Sequence, residues 1–308
     1  MERIYDMIVI GGGPAGYTAA LYAARGGLDT LIVERMSVGG QMTQTGDIDN
    51  YPGFDEGIDG FTLGMKMQAG AERFGAKTAY CEVTAVKLDG DIKQLSTSEG
   101  ELYARTVVIA TGADARRLGL AEEEMMTGRG VHYCAHCDGR FYKGKKVAVI
   151  GGGNTAVGDA LYLARLCETV YLVHRRDTLR ADRVYTNALG GFDNIIPCYN
   201  QVPTALVLDS DKVTGLRTEN KLTGETALLP LDGVFVSIGR NPATAFLAGA
   251  IECDDGGYIL ADETTKTNIP GVFAVGDVRK KPLRQVVTAV SDGAIAAHFA
   301  EEHLSERQ

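Results

Sequence analysis

Cys134-Ala135-His136-Cys137-Asp138 is the stretch of this chain best equipped for covalent chemistry. Two residues between cysteines is the spacing of a redox disulfide, in which one thiolate attacks and a proton must reach the departing sulfur. Asp138 adjoins the pair and is the candidate acid. With Gly139 after it, Asp138 also reads as an ordinary turn residue. His136 lies between the cysteines, where it either tunes their ionisation or faces solvent. His132 and His136 raise a zinc alternative. Four ligands within His132–Cys137 are too crowded to wrap a tetrahedral ion, and no second Cys-x-x-Cys completes a site, so no metal is expected. An inert thiol pair is the remaining alternative. The other cysteines, Cys81, Cys167, Cys198 and Cys253, read as ordinary thiols.

A redox disulfide needs a source of electrons, and the sequence offers two cradles for one. Met7–Arg35 lies on Val147–Arg175 without a gap, and 12 of the 29 paired positions are identical. Each copy reads as strand, glycine turn, helix, strand, the βαβ pattern of a dinucleotide fold. The first copy has Ile8–Ile10, Ala15–Arg25 and Leu31–Val33 as its elements; the second has Val147–Ile150, Thr155–Arg165 and Tyr171–Val173. The first turn is Gly11-x-Gly13-Pro14-Ala15-Gly16. Glu34 then closes the second strand, where an acid would hold a ribose 2′-hydroxyl. The second turn is Gly151-x-Gly153-Asn154-Thr155-Ala156, with the permitted alanine at its last position. His174 stands in the register of Glu34, followed by Arg175, Arg176 and Arg180. Loss of the acid and gain of guanidinium groups suit a 2′-phosphate. The first copy is therefore read as an FAD site and the second as an NADPH site. The alternatives are a glycine turn without a ligand and a solvated charge cluster.

Size and composition agree with two soluble domains. The chain has 308 residues, 45% hydrophobic and 23% charged, with 39 glycines. A formal charge of −9 argues against nucleic acid or an anionic membrane surface as a partner. An apolar run, Met7–Ile10, begins after six residues with no leader before it, and no apolar window is long enough to span a bilayer. No membrane role is expected, and a cytoplasmic location follows by default. The fold class expected is α/β, with two Rossmann-like three-layer ββα nucleotide-binding domains.

These residues resemble the low-molecular-weight, bacterial-type thioredoxin reductases among the pyridine nucleotide-disulfide oxidoreductases. The resemblance runs along nearly the whole chain. Besides the two glycine turns, the cysteine segment and the arginines, it rests on Gly39-Gly40-Gln41, Asn50-Tyr51-Pro52-Gly53, Ala110-Thr111-Gly112, Gly271–Asp277 and Arg284-Gln285. It implies a discontinuous FAD domain, residues 1–117 and 246–308, with an NADPH domain carrying the cysteines inserted at 118–245. It further implies that Gly39, Gly40, Gln41, Asn50 and Ala110–Gly112 serve the flavin. Gly276-Asp277 would bind its ribityl chain, and Arg284-Gln285 would lie near its ring.

The implied activity is that of a thioredoxin-disulfide reductase. Electrons would run from NADPH to FAD, to Cys134–Cys137, to thioredoxin, in a homodimer whose NADPH domain rotates on two linkers. Cys137 would face the flavin and Cys134 would be its exchange partner. The chain departs from common family patterns at His136, at Gly158-Asp159 and at Leu283. Related readings are a dithiol oxidase, a peroxiredoxin reductase and a redox-sensing protein that binds FAD and NADPH without turnover.

Overall fold

A computed structural model describes residues 3–44 and 47–306. The chain forms two compact units, one built from residues up to Thr43, from Asp47–Asp114 and from Asn241 onward, the other from Ala115–Arg240 with the short segment that begins at Gln44.

The first unit is organised on a sheet whose parallel strands run, edge inward, Lys77–Tyr80, Thr30–Glu34, Ile4–Ile10 and Gly100–Ile109. The last of these changes partner along its length. Its first half pairs antiparallel with Lys93–Thr97, which pairs in turn with Val83–Lys87; its second half pairs parallel with Val272–Ala274. Met7, Ile8 and Val9 are completely buried, as a strand covered on both faces must be. One face packs against the helices Pro14–Arg25 and Val286–Ser305. These two helices cross closely at Gly293, where a Cβ would lie 2.3 Å from the Ala15 carbonyl oxygen. The other face is closed by Leu88, Leu95, Leu247, Ile251 and Ile259.

In the second unit a parallel sheet has the order Val131–His132, Gly233–Val236, Lys146–Ile150, Thr169–His174, Ile195–Tyr199. Helix Asn154–Leu163 covers one face. An antiparallel sheet of Gln201–Asp209, Lys212–Asn220 and Thr226–Pro230 supplies Leu206, Val213 and Leu216 to the other. The layers are thus sheet, sheet and helix, as the sequence reading expected. All six elements inferred from the repeat are present. The second helix stops at Leu163, two residues short of expectation. There Leu166 and Cys167 both turn back to donate their N–H groups to the Leu163 carbonyl. Among the described residues no helix is long and apolar enough to cross a membrane.

Candidate active site

Val131–His132 is the edge strand that delivers the cysteines. Beyond it Cys134 is extended and starts the one-turn helix Ala135–Asp138. Cys137 and Asp138 donate their N–H groups to the Cys134 carbonyl at 3.2 and 3.1 Å. This turn holds the two Cα atoms 5.3 Å apart, and the sulfurs are joined in a disulfide. Bonded to each other, they are not thiolate ligands. Among the described residues no group of His, Cys, Asp and Glu is arranged to hold a metal ion.

Asp138 ends that turn, only 6% exposed. Its Oδ2 lies 3.2 Å from His132 Nδ1, and His132 Nε2 lies 2.7 Å from the Tyr142 hydroxyl. Burial, reinforced by the Asp138 charge, pushes the Tyr142 phenol well above its usual range and keeps it protonated. The sequence marked His132 only as a possible zinc ligand and did not mark Tyr142. The pairing spans a strand end and a separate 3-10 turn, and it leaves no local periodicity. His136 is exposed and lays its ring 4.2 Å from that of Tyr162. Asp159, on the inner face of Asn154–Leu163, accepts a hydrogen bond from Ser237 Oγ at 2.5 Å; burial holds its carboxyl above the usual range.

In the first unit the glycine turn is assembled as its spacing implies. Gly11 has φ +109°, and a Cβ on it would come 2.5 Å from the Ala110 carbonyl oxygen. A Cβ on Gly16 would strike the Gly11 carbonyl, whereas one on Gly13 would meet open space. Gly13 precedes Pro14 at the start of a 12-residue helix that has neither a side-chain cap nor an acid in its first turn. Its leading N–H groups are thus left for an anion such as a pyrophosphate, and these residues fit a dinucleotide. Gly39 donates its N–H to the Gly12 carbonyl at 2.8 Å, seating Gly39-Gly40 on the turn. Gln41 Nε2 reaches the Ala113 carbonyl at 2.5 Å, next to Ala110–Gly112, while the Thr111 hydroxyl binds the Ala243 carbonyl.

Glu34 is more occupied than the sequence suggested. Its carboxylate accepts the N–H groups of Gly12 at 2.7 Å and Met36 at 2.8 Å, leaving the remaining lone pairs for a ribose. Asn50 Nδ2 donates to Gln285 Oε1 at 3.0 Å, and Gln285 caps helix Val286–Ser305. Arg284 lies 4.2 Å over the Tyr258 ring and bonds the Asp277 carbonyl. Gly276 hands its N–H to buried Asp292, which also holds Lys281 at 2.7 Å. Asp292 and Lys281 were not singled out in the sequence, although an aspartate in the buried stripe Ala289, Gly293, Ala296 of a helix is a readable signal.

Because a methyl group at position 11 meets fixed backbone and one at position 13 meets none, the two glycines should part company. Gly11→Ala is expected to cost about 2–4 kcal/mol. Gly13→Ala should stay within about 1 kcal/mol. Denaturant midpoints of the flavin-free protein check this, and equal costs would refute the geometry.

The second cradle repeats the first with altered chemistry. Gly151 approaches the Ser237 carbonyl as Gly11 approaches that of Ala110, and Gly153, like Gly13, opens onto free space. His174 covers Gly152 as Glu34 covers Gly12. It is 5% exposed, its Nε2 has no partner, and burial together with Arg180, Arg176 and Arg175 holds its pKa below the usual value. An unpartnered buried ring nitrogen and a bare helix start both suit a bound dinucleotide. The loop after His174 is pinned to the turn, since Arg180 and Ala181 donate to the Gly152 carbonyl at 2.7 and 3.1 Å. Asn154 contributes by clamping Asp182 in two hydrogen bonds of 2.7 and 2.8 Å, and Thr155 and Ala156 continue into the helix. Arg175, Arg176 and Arg180 are all exposed, and none makes an ion pair among the described residues.

The remaining thiols are poorly suited to exchange. Burial pushes Cys167 up to about 11 and raises Cys81, Cys198 and Cys253, which suppresses their thiolates at neutral pH.

The family model for pyridine nucleotide-disulphide oxidoreductases matches residues 5–293. The thioredoxin reductase of Listeria monocytogenes is 46% identical over 306 residues, covering 99% of this chain and 95% of its own. That of Bacillus subtilis is 41% identical over 308 residues, covering 100% of this chain and 97% of its own. The crystal structure of thioredoxin reductase from Streptococcus pyogenes superposes with a TM-score of 0.92 at 42% identity, over 99% of this chain and all of that one.

Proposed function

The chain belongs to the pyridine nucleotide-disulphide oxidoreductase family, and on that premise we propose that it is a thioredoxin reductase, passing electrons from NADPH through FAD and the Cys134–Cys137 disulfide to thioredoxin. The observation that carries this is the disulfide itself, seated beside a buried carboxyl and within a unit whose glycine turn is flanked by unpaired arginines.

The unit containing Gly11–Gly16 would hold FAD on that turn, on Glu34, on Gly39–Gln41 and on Gly276-Asp277, with Arg284-Gln285 toward the ring. The unit of Ala115–Arg240 would hold NADPH on Gly151–Ala156, with Arg175, Arg176 and Arg180 on the 2′-phosphate. Bound FAD supplies a carrier that takes a hydride from nicotinamide and releases an electron pair to sulfur. The chain's own chemistry is thiol exchange. Opening the Cys134–Cys137 bond takes two electrons and leaves a thiol and a thiolate. The thiolate attacks the thioredoxin disulfide and expels one of its sulfurs, which takes up a proton. The second cysteine then attacks the mixed disulfide, restoring the Cys134–Cys137 bond and releasing reduced thioredoxin. Asp138, buried and next in sequence to Cys137, would hold the proton that sulfur needs. A cytoplasmic homodimer belongs to the same reading, and sedimentation of the flavin-loaded protein tests the dimer.

The deciding assay follows NADPH consumption with oxidised thioredoxin, with NADH and with oxygen alone. Consumption only with NADPH and thioredoxin together supports the reductase; equal consumption with oxygen alone overturns it in favour of an oxidase. Asp138→Asn should slow opening of the disulfide by about a hundredfold and leave the KM for NADPH unchanged. A normal rate in stopped flow would return Asp138 to a purely structural part.

A further inference from the structure

We propose that His132 is the proton reservoir of Asp138, so that a Tyr142–His132–Asp138 chain recharges the acid that serves the Cys134–Cys137 disulfide. The inference rests on the thioredoxin reductase reading and adds to it a positioning residue that no spacing rule would select.

Three facts carry it. His132 is 6% exposed and Asp138 equally so, yet each has a polar partner in the other at 3.2 Å. A structural pair would be complete at that point. Here the far ring nitrogen is also engaged, 2.7 Å from the Tyr142 hydroxyl. A phenol both donates and accepts, so it can donate to neutral Nε2 or accept from protonated Nε2–H. With the phenol oxygen accepting from Nε2–H, the imidazole can gain or lose its proton at Nδ1 without leaving a buried polar atom unsatisfied, which a fixed donor such as a backbone N–H at Nε2 would not permit. Finally, the ring is fixed in place. It stacks on Phe235 at 5.2 Å and meets the Tyr142 ring edge-on at 5.2 Å, so Nδ1 stays aimed at the carboxylate.

The groups facing this chain are few. The short helix Ala135–Asp138 presents Asp138, and the 3-10 turn Gly139–Tyr142 presents Tyr142. The strand Gly233–Val236 presents only the Phe235 ring. Behind Tyr142, Asp232 and Cys167 act on the phenol, with the Lys145 ammonium 5.4 Å from its ring. Asp159 and His136 belong to a separate cluster with Ser237 and Tyr162.

The step balances as follows. Two electrons, supplied by NADPH through the flavin, break the S–S bond. Asp138, as the carboxylic acid, gives its proton to one sulfur. Imidazolium Nδ1–H then returns a proton to the Asp138 carboxylate. His132 is left neutral with its remaining proton on Nε2, still donated to the Tyr142 hydroxyl oxygen, while the Asp138 O–H donates to Nδ1. Reoxidation of the dithiol by thioredoxin runs the same transfers in reverse.

The test uses His132→Asn, whose amide NH2 can replace the Nδ1 donor but cannot titrate. In the flavin-loaded enzyme the rate of disulfide opening should fall about tenfold at neutral pH, less than for a direct proton donor. The wild-type rate should depend on pH, and the variant should show a flatter profile. Combined with Asp138→Asn, the substitution should add no further loss. A His132→Asn profile that follows the wild type would overturn the proposal. A separate readout needs no turnover: 15N spectra of the histidines in the oxidised wild-type protein should show the protonation of the His132 ring changing with pH. A ring in one fixed state throughout would overturn it. If the wild-type protein failed to reduce thioredoxin at all, the functional reading would fall while this titration could still be observed, so the two failures are distinguishable.

Discussion

Serine in place of either Cys134 or Cys137 is expected to abolish NADPH-driven reduction of thioredoxin, by about a thousandfold or more, while flavin binding is retained. The effect is this large because the two sulfurs act as one unit. A hydroxyl at either position cannot form the S–S bond, so there is nothing for the electron pair to enter and nothing to exchange with thioredoxin. The flavin is spared because the residues proposed to hold it lie in the first unit, whereas the cysteines lie in the second. Cys81, Cys167, Cys198 and Cys253 are all free cysteines, joined in no disulfide, and Cys81 and Cys167 are buried. Flavin absorbance of the purified variants and an NADPH–thioredoxin assay settle the matter. Undiminished turnover in both variants would remove the disulfide from the route.

Converting Arg175 and Arg176 together to alanine is expected to raise the KM for NADPH by roughly a hundredfold and to leave that for NADH within about twofold. The two cofactors differ only in the 2′-phosphate, so the ratio isolates the contacts made to it. The expectation depends on geometry as well as charge. Both arginines follow buried His174 on a loop tied to the glycine turn through Arg180, Ala181 and Asn154, and neither is already spent on a carboxylate. Exposure to solvent weakens each contact, which is why the expected effect is smaller than two fully buried charged hydrogen bonds would give. Equal losses with both nucleotides would mean that the substitutions disturbed the loop and not a phosphate contact.

Some of this was legible because its cause is local. A glycine is needed at 11 and 151 wherever a strand must turn sharply into a helix against a neighbouring carbonyl, and the spacing to the third small residue follows from the helix that begins there. Glu34 and His174 come at the end of a five- or six-residue strand whose length the apolar run reveals. Their surroundings were less legible. Glu34 is read as an acid for a ribose, and its carboxylate also accepts two backbone N–H groups that the sequence does not reveal. His174 was read with the arginines as one basic cluster and proved to be buried over Gly152 while they stand in solvent. A residue's register on a strand can be counted, but which neighbour will desolvate it cannot.

The sequence by itself determined the element pattern, the two glycine turns and the place of the cysteine pair, because each is set by the geometry of residues a few positions apart. Tertiary structure alone decided that Asp138 would be paired with His132 and backed by Tyr142, and that Asp292 would hold both Gly276 and Lys281. A buried polar group must find a partner, because leaving it unpaired costs about 1–3 kcal/mol. That requirement names no particular residue, and the choice falls to whichever groups the packed sheets and helices bring within reach.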